Sequence, residues 1–410
     1  MSFAIINRVS VTKIRVKQYD FSSQRASEGR AGIHDYPAML HYLLVDDLLA
    51  LLSEKVRVVY DPFCGSGVTI IEALKFKKRS IGTDINPLAL LITKTRTLNI
   101  TPKEVKSILK KFSKDINSVR PDIPIVTNIE YWFKPDVIEY LGKIRALLLR
   151  YDDLPFSEFF KTVFSQTVRS VSNNRKGEFK RFRISRDKLA YHNPDVWETF
   201  KQIALKYSQI LSVTLNFRDF QLFRHDLREP LPFSEKVDLV ITSPPYGDSK
   251  TTVAYGQFSS FGIQWLSGLN PYGDEDLKLD NRMLGGGKRQ CPTPPSESLR
   301  QTLAEIKDEN RNNEVRNFFY DLFISCANII DRLSDNSTVC FVVGNRTVNG
   351  TVIAMDEIVK EFFEYFNLKH FKTYIRKIKN KRIPLLNSPS NLKGNTSPTM
   401  LNEYIIIMKT

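Results

Sequence analysis

The sequence predicts an α/β protein built on a doubly wound, mostly parallel sheet. A strand, a glycine-bearing turn, a helix and a second strand form a first βαβ unit, and strand patterns resume after a long helical stretch. The last two strands face each other across a polar, proline-bearing connection, which predicts an antiparallel pair at the end of the sheet. The predicted strands are 56–60, 79–84, 219–228, 236–243, 337–345, 368–378 and 402–409.

The segments between these strands differ in character. Residues 101–215 carry helical periodicity interrupted by a basic segment, which predicts a helical insertion. Residues 247–315 are rich in Gly, Pro and charge without a clean period, which predicts a long loop or a small mobile subdomain. Further helices are predicted at 67–76, from Pro87, at 315–333 and near 353–366. We therefore assign 1–100 and 216–410 to one domain, 101–215 to the insertion and 266–316 to an irregular subdomain.

The composition favours a polyanionic partner. Lys and Arg outnumber Asp and Glu by 60 to 45, which gives a formal net charge of +15, and nucleic acid is the expected partner. A cationic bias without function is the alternative. The four cysteines form no C-x-x-C pair and the five histidines form no cluster with them, so neither zinc nor disulfides are expected. No stretch approaches the ~18 apolar residues of a membrane span, and we expect a soluble, cytoplasmic chain without a targeting segment.

The turn "DPFCGSG" follows the first strand and opens a helix. Glycines in such a turn let the backbone come close to a ligand at a helix N-terminus. The spacing is not that of the dinucleotide motif G-x-G-x-x-G, because Ile70 stands where its last glycine would be. The second strand ends in Asp84, where a carboxylate can accept from both hydroxyls of a ribose. Turn chemistry at Asp61-Pro62 and helix capping at Asp84 are the alternatives.

These residues resemble the first motifs of S-adenosylmethionine-dependent methyltransferases, in which an acidic residue precedes a Phe-x-Gly-x-Gly turn. The resemblance implies that the turn passes beneath the cofactor, that Asp84 holds the ribose and that Asp226, in "RHDL", contacts the adenine. Upstream, "GIHDYPAMLHYLL" resembles an amino-terminal motif, His-x-Tyr-Pro-Ala, that lines the methionine end of the pocket in cytosine N4 enzymes. The cofactor residues implied are His34, Tyr36, Pro37, Asp61, Phe63, Cys64, Gly65, Ser66, Gly67, Asp84, Ile85, Asp226 and Leu227.

The strand "VDLVITS" stops at two prolines followed by a tyrosine. "SPPY" is similar to the motif of DNA methyltransferases that modify exocyclic amines, in which Asp, Asn or Ser precedes Pro-Pro and an aromatic residue. Ser at the first position, preceded by Thr, is typical of enzymes that methylate cytosine N4, whereas Asp or Asn is usual for adenine N6. The catalytic residues implied are Ser243, Pro244, Pro245 and Tyr246.

The chemistry of the motif explains its residue types. A conjugated exocyclic amine is a poor nucleophile, so the site must accept hydrogen bonds from it and aim it at the methyl donor. We expect the Ser243 hydroxyl and the Pro244 carbonyl to be the acceptors, and Tyr246 to stack on a base extruded from the duplex. Neither a metal nor a covalent intermediate is required. The only adjacent Cys and Pro, Cys291-Pro292, are reversed relative to the Pro-Cys nucleophile of carbon-5 enzymes.

Two places are candidates for reading the DNA sequence: the helical insertion, through its basic segment at 172–186, and the irregular region 266–316. The segment "SNNRKGEFKRFRISR" packs basic residues beside two phenylalanines, and "GDSKTTVAYGQFSSF" after the catalytic motif is predicted to be a hydroxyl-rich loop over the base. A solvated basic face and a plain linker are the alternatives. The nucleic-acid-binding residues predicted are Arg175, Lys176, Lys180, Arg181, Arg183, Lys250 and Tyr255.

Taken with the resemblance, the sequence predicts a class I, Rossmann-like methyltransferase with a seven-stranded, mostly parallel sheet and a helical insertion. The expected activity is transfer of methyl from S-adenosylmethionine to cytosine N4 in a specific double-stranded DNA sequence. Such an enzyme would come from a bacterium or a phage and could serve a restriction-modification system beside a cognate endonuclease. Methylation of adenine N6, methylation of an RNA amine, and nucleic-acid binding without catalysis remain the alternatives.

Overall fold

The computed structural model describes residues 13–247, 252–274, 278–378, 386–387, 397–398 and 400–410. Its strands are β1 (Ile14–Arg15), β2 (Val58–Asp61), β3 (Arg79–Asp84), β4 (Phe220–Arg224), β5 (Val237–Thr242), β6 (Leu333–Val343), β7 (Arg346–Val348), β8 (Thr351–Ile353), β9 (Lys369–Lys377), β10 (Leu386–Asn387), β11 (Ser397–Pro398) and β12 (Asn402–Lys409).

Its α-helices are α1 (Tyr42–Leu52), α2 (Val68–Lys75), α3 (Pro87–Arg96), α4 (Pro102–Asp115), α5 (Ile129–Trp132), α6 (Pro135–Arg150), α7 (Ser157–Val171), α8 (Arg186–Ala190), α9 (Val196–Leu211), α10 (Tyr255–Trp265), α11 (Leu279–Arg282), α12 (Glu297–Glu305), α13 (Glu309–Ile330) and α14 (Met355–Tyr365).

The centre of the molecule is an eight-stranded sheet in the order β1-β9-β12-β6-β5-β2-β3-β4. Strands β4, β3, β2, β5 and β6 run parallel, and β12 lies antiparallel between β6 and β9. The α/β fold with a mostly parallel sheet is therefore confirmed, including the antiparallel pair at its end. The eighth strand, β1, was not predicted, because two residues are too few to carry a strand pattern.

The carboxyl ends of the parallel strands β2, β3 and β5 meet at one edge of this sheet. Strand β2 is buried along its whole length, and its last residue, Asp61, pairs with Gly82 of β3. Strand β3 then continues to Asp84, and β5 runs beside β2 on the other side to end at Thr242. Ligands of open α/β sheets bind at this edge, so the fold brings the ends of the predicted motifs together there.

The helical insertion forms its own layer of the core. Its helices α4, α6, α7 and α9 bury a cluster rich in aromatic side chains, which also includes residues of α3 and α10. The largest of these side chains, Phe112, Phe133, Phe164, Phe200 and Trp265, are fully buried. The insertion is thus packed against the sheet-covering helix α3 and continues the hydrophobic core rather than standing apart from it.

The prediction of a long loop or a small mobile subdomain over 247–315 did not include the helices that lie there. Helix α10 lies within it, and its Phe258, Phe261 and Trp265 are buried against the insertion. Their spacing of three and four residues is helical, but the intervening Gly and Ser residues weaken that signal. Helices α11 and α12 also lie there, and α13 begins at Glu309, where the Asp308 carboxylate caps it by accepting from the Arg311 amide at 3.0 Å.

Among the described residues, no helix is long and apolar enough to cross a membrane. The same part of the chain holds no group of three or more His, Cys, Asp or Glu side chains that could bind a metal ion.

Candidate active site

A cleft opens at the carboxyl edge of the sheet, above the ends of β2, β3 and β5. Its volume is about 880 Å³, counting the space that is open to solvent. It is lined by residues from the amino-terminal segment, the glycine turn, the end of β3, the loop after β4, the catalytic motif and α10. The lining residues are Tyr36, Pro37, Ala38, Met39, Leu40, Asp61, Pro62, Phe63, Cys64, Gly65, Ser66, Val68, Thr69, Asp84, Ile85, His225, Asp226, Leu227, Ser243, Pro245, Tyr255, Arg282, Met283 and Leu284.

The glycine turn between β2 and α2 has the backbone conformation that its sequence suggests. Gly65 and Gly67 have φ of 49° and 79°, in the left-handed region that favours glycine. The Gly65 amide donates to the Asp84 carboxylate at 2.8 Å, and the Cys64 amide donates to the Thr83 carbonyl at 3.0 Å. The turn is therefore fixed against the end of β3, and its backbone forms the floor of the cleft.

Asp84 lies in the cleft wall and does not cap α3. The cap of that helix is Asn86, whose side chain accepts from the Leu88 amide at 3.1 Å. The Asp84 carboxylate accepts backbone hydrogen bonds from Gly65 on one oxygen and from Asn86 on the other, both at 2.8 Å. Burial raises the pKa of Asp84 to about 6, although these backbone hydrogen bonds oppose the rise. Since each carboxylate oxygen has further lone pairs, Asp84 can still accept from a ligand with two neighbouring hydroxyls.

Asp61 lies deeper and joins the cofactor turn to the catalytic strand. Its carboxylate accepts from the Thr242 hydroxyl at 2.6 Å and from the Phe63 amide at 3.2 Å. Burial raises the pKa of Asp61 to about 7, against these hydrogen bonds. The Asp61 side chain thus sets the position of β5, one residue before Ser243, relative to the glycine turn.

Arg96, at the end of α3, was not predicted to belong to the site. Its guanidinium is fully buried and donates to the Ser66 carbonyl at 2.7 Å and to the Ser66 hydroxyl at 2.9 Å. It also donates to the carbonyls of Ala31 and Ile33 at 2.7 and 2.8 Å. Burial lowers the pKa of Arg96 to about 9. One side chain therefore joins the glycine turn to the segment that leads into Tyr36.

The amino-terminal motif contributes to the cleft unevenly. Tyr36 and Pro37 line it, whereas His34 is buried and is not part of its lining, and burial lowers the pKa of His34 to about 3. The Tyr36 hydroxyl accepts from the Asn86 side chain at 3.2 Å. The Tyr36 ring stacks on Tyr255, with ring centroids 5.9 Å apart. Tyr255, which we predicted to contact nucleic acid, is thus placed by α10 inside the cleft beside the predicted cofactor residues.

The part of the cleft next to the loop after β4 has apolar walls and a carboxylate, that of Asp226, which is paired with an arginine. Phe63, Ile85 and Leu227 line it. Burial would raise the pKa of Asp226, but the bond to Arg228 outweighs this and holds the pKa below its ordinary value. The Arg228 guanidinium donates to both Asp226 oxygens, at 2.9 and 2.5 Å.

Three further residues in this part of the cleft, Arg282, Met283 and Leu284, come from the region predicted to be irregular. The sequence carried no signal for them, since Arg282 ends the four-residue helix α11 and the other two follow it. Cys64 packs at the floor, and burial raises the pKa of its thiol well above the ordinary value, so it stays protonated.

The catalytic motif directly follows β5. Ser243 and Pro245 line the cleft, while Pro244 is buried and Tyr246 packs against the core around β5, β6 and α13. The Ser243 hydroxyl donates to the Tyr246 hydroxyl at 3.0 Å, and the Tyr246 hydroxyl donates to the Glu403 carboxylate at 3.1 Å. Glu403, on β12, was not predicted from the sequence. The structure thus brings Ser243 to the same cleft as the glycine turn and Asp84.

The basic segment of the insertion lies against aromatic side chains. The Arg183 guanidinium lies 4.1 Å from the ring centroid of Tyr131, and that of Arg181 lies 5.5 Å from the centroids of Trp132 and Phe261. Arg175 and Lys176 are exposed and Lys180 is partly buried. Of the predicted nucleic-acid-binding residues, Lys250 lies outside the described residues.

Comparisons with known proteins find DNA methyltransferases among the relatives of this chain. The family model described as DNA methylase matches residues 10–95, which include the amino-terminal motif, the glycine turn and Asp84. The type II methyltransferase M.MvaI of Kocuria varians is 34% identical over 410 aligned positions, covering 92% of this chain and 90% of that protein. The type II methyltransferase M.MjaII of Methanocaldococcus jannaschii is 32% identical over 92 positions, covering 21% of this chain and 17% of that protein.

Among solved structures, the rRNA methyltransferase AviRa of Streptomyces viridochromogenes aligns with a TM-score of 0.35 and 9% identity, covering 95% of this chain and 96% of that chain. At this TM-score the alignment supports no argument about function.

Proposed function

Because this chain belongs to the family of DNA methyltransferases that act on exocyclic N6 or N4 amines, we propose that it methylates cytosine N4 in a specific duplex DNA sequence. The proposed methyl donor is S-adenosylmethionine. By the printed name of its relative from Kocuria varians, we further propose a type II modification role, with a cognate restriction endonuclease as functional partner.

The residues of the cleft fit the proposed cofactor. The left-handed Gly65 lines the cleft beside Ser66, so the backbone of the turn can come close to a ligand, and Asp84 offers a carboxylate to a ribose. Apolar Phe63 and Ile85 would flank the adenine. The bound cofactor would supply an electrophilic methyl group on a sulfonium. The role of the chain is then to hold it beside the acceptor amine.

Ser243 carries the proposal for the acceptor. It lies at the end of β5 and lines the same cleft as the cofactor residues. A base extruded into this cleft would place its exocyclic amine where the Ser243 hydroxyl and the Pro244 carbonyl can accept hydrogen bonds from it. Both acceptors draw electron density toward the amine nitrogen, and the proline ring fixes the backbone direction.

Cytosine is favoured over adenine by the resemblance of this position to that of cytosine N4 enzymes. Ser243 offers a neutral hydroxyl, where family members that act on adenine usually have Asp or Asn. Duplex DNA as the substrate is favoured by the formal net charge of +15 and by the exposed Arg175 and Lys176 of the insertion.

The proposal is tested by transfer of a labelled methyl group from S-adenosylmethionine to unmethylated bacterial DNA. We expect label in duplex DNA and none in RNA transcribed from it. The Ser243→Ala variant should bind the cofactor as tightly as the natural chain while its rate of transfer falls at least about 100-fold, since both charge stabilisation and orientation of the amine are lost. Equal labelling by the two proteins would refute the role of Ser243, and labelling of RNA alone would favour the RNA alternative.

A further inference from the structure

We propose that Tyr246 and Glu403 are positioning residues that hold the Ser243 hydroxyl as a hydrogen-bond acceptor toward the target amine. This inference rests on the proposed function, and it deepens the description of that site. Glu403 lies on β12, 157 positions from Tyr246 in sequence, so the catalytic motif alone does not contain both positioning residues.

Glu403 determines which group donates and which accepts in each hydrogen bond of this chain. Its Oε2 accepts from the Arg376 guanidinium through Nε at 2.6 Å and through a terminal nitrogen at 2.5 Å. Both side chains are buried, and strand pairing between β9 and β12 places the two residues directly opposite each other. A carboxylate paired with a guanidinium is ionised and can only accept hydrogen bonds.

Tyr246 is the next member. Its hydroxyl lies 3.1 Å from the second Glu403 oxygen, Oε1. Burial, and then the negative charge of Glu403, raise the pKa of Tyr246 well above its ordinary value, so the phenol keeps its proton. A phenol has one proton to donate, and the carboxylate can only accept it. The Tyr246 oxygen is therefore left as an acceptor for its other neighbour.

Ser243 is that neighbour, with its hydroxyl oxygen 3.0 Å from the Tyr246 oxygen. Since Tyr246 has no further proton to give, Ser243 must be the donor. The single hydroxyl proton of Ser243 then points into the core, and its lone pairs remain for the cleft that it lines. An unconstrained serine could turn its proton toward the substrate and repel the amine hydrogens. The chain of hydrogen bonds removes this unproductive rotamer.

The direct test is the Tyr246→Phe variant, which keeps the ring and removes only the hydroxyl. Its control is Tyr404→Phe, which removes a phenol hydroxyl from the residue next to Glu403 on β12. We expect the single-turnover rate of methyl transfer to fall about 10-fold in Tyr246→Phe, with the affinities for DNA and cofactor unchanged, and to stay within twofold in Tyr404→Phe. A Tyr246→Phe rate within twofold of the natural chain would overturn the inference.

A double variant separates positioning from packing. If Tyr246 acts through the serine hydroxyl, adding Tyr246→Phe to Ser243→Ala should change the residual rate less than twofold. A further 10-fold loss in that background would show an effect independent of Ser243 and would overturn the inference. If the Ser243→Ala rate falls below detection, the single variants decide alone.

The failure of the inference and the failure of the proposed function are distinguishable. An active natural chain with an equally active Tyr246→Phe variant overturns the positioning role only. A natural chain that methylates no DNA base overturns the proposed function as well.

Discussion

Substitution of Gly67 by alanine should destabilise the protein more than the same substitution at a glycine in open space. Gly67 has φ of 79°, and a β-carbon built there lies 2.7 Å from the Thr93 hydroxyl oxygen and 2.9 Å from the Thr93 β-carbon. Gly350, between β7 and β8, has a similar φ of 87°, with no other atom within 4 Å of an added β-carbon. The two positions thus share the backbone strain and differ in the steric clash.

The magnitudes follow from these surroundings. A left-handed alanine costs about 1–2 kcal/mol at either position. At Gly67 the clash adds about 1–3 kcal/mol, because Thr93 is fully buried and cannot turn away freely. The Thr93 hydroxyl oxygen lies 2.9 and 3.0 Å from the Gly65 and Ala89 carbonyls and shares its one proton between them, and rotation would lose this hydrogen bond.

Urea unfolding of the full chain, followed by circular dichroism, measures the difference between the two variants. We expect a lower midpoint for Gly67→Ala than for Gly350→Ala, corresponding to about 1–3 kcal/mol. The cofactor affinity should fall only in Gly67→Ala, because the turn lines the cleft. Equal midpoints would refute the reasoning from the clash, and an unchanged cofactor affinity in Gly67→Ala would refute the placement of the cofactor over this turn.

Three further predictions concern the cofactor and DNA. Because the Asp84 carboxylate must be ionised to accept two ribose hydroxyls and its pKa is raised to about 6, cofactor affinity should weaken as the pH falls from 7 to 5, by up to about 10-fold, in calorimetric titrations. Arg96→Met should lower cofactor affinity about 10-fold, whereas Arg30→Met, which also removes a buried guanidinium bound to carbonyls, should not. Changing both Arg175 and Lys176 to alanine should reduce the slope of log affinity for DNA against log salt by about 1.8.

Each of these predictions has its own control and contrary result. A pH dependence that persists unchanged in Asp84→Asn would assign it to another group, such as Asp61. Equal loss of cofactor affinity in both methionine variants would show a general effect on folding. The salt slope should not change when the exposed Lys110 and Lys111 of α4 are changed to alanine; an equal change there would show that the basic segment is not a specific contact.

The Asp84 carboxyl also makes folding stability depend on pH. Its pKa is raised on folding from an ordinary value of 3.8 to about 6, so the native state binds its proton more tightly than the unfolded chain. The resulting contribution favours the native state at low pH and is lost as the pH rises from about 4 to about 6. In Asp84→Asn, this loss of folding stability with rising pH should therefore disappear. The effect is opposite in sign to that of pH on cofactor affinity, which increases as the pH rises.

The parts of the site that the sequence predicted are those held by local patterns. The glycine turn, Asp84 and Ser243 each follow a recognisable strand, and parallel strands bring their carboxyl ends to one edge. Once the strands were identified, the meeting of these residues followed from the fold. The same reasoning gave the mostly parallel sheet and its antiparallel end.

The parts that escaped prediction depend on contacts between distant segments. Arg96 looks like the polar end of an amphipathic helix, and only the fold shows that it binds Ser66. Glu403 precedes an apolar run in an ordinary strand, and only the sheet order β12-β6-β5 brings it near Tyr246, which follows β5. Tyr255 was predicted to lie on a loop because the helical pattern of α10 is weak in the sequence. The direction of the Tyr255 side chain could therefore not be inferred. In each case the deciding interaction is tertiary.

The most direct measurement of the central claim is the identity of the methylated base. Bacterial DNA without methylation is incubated with the protein and isotopically labelled S-adenosylmethionine, digested to nucleosides and analysed by mass spectrometry against synthetic standards. We predict that the label appears in N4-methyldeoxycytidine and that its initial rate of incorporation falls at least about 100-fold with the Ser243→Ala variant. Label in N6-methyldeoxyadenosine, or in no nucleoside, would contradict this prediction.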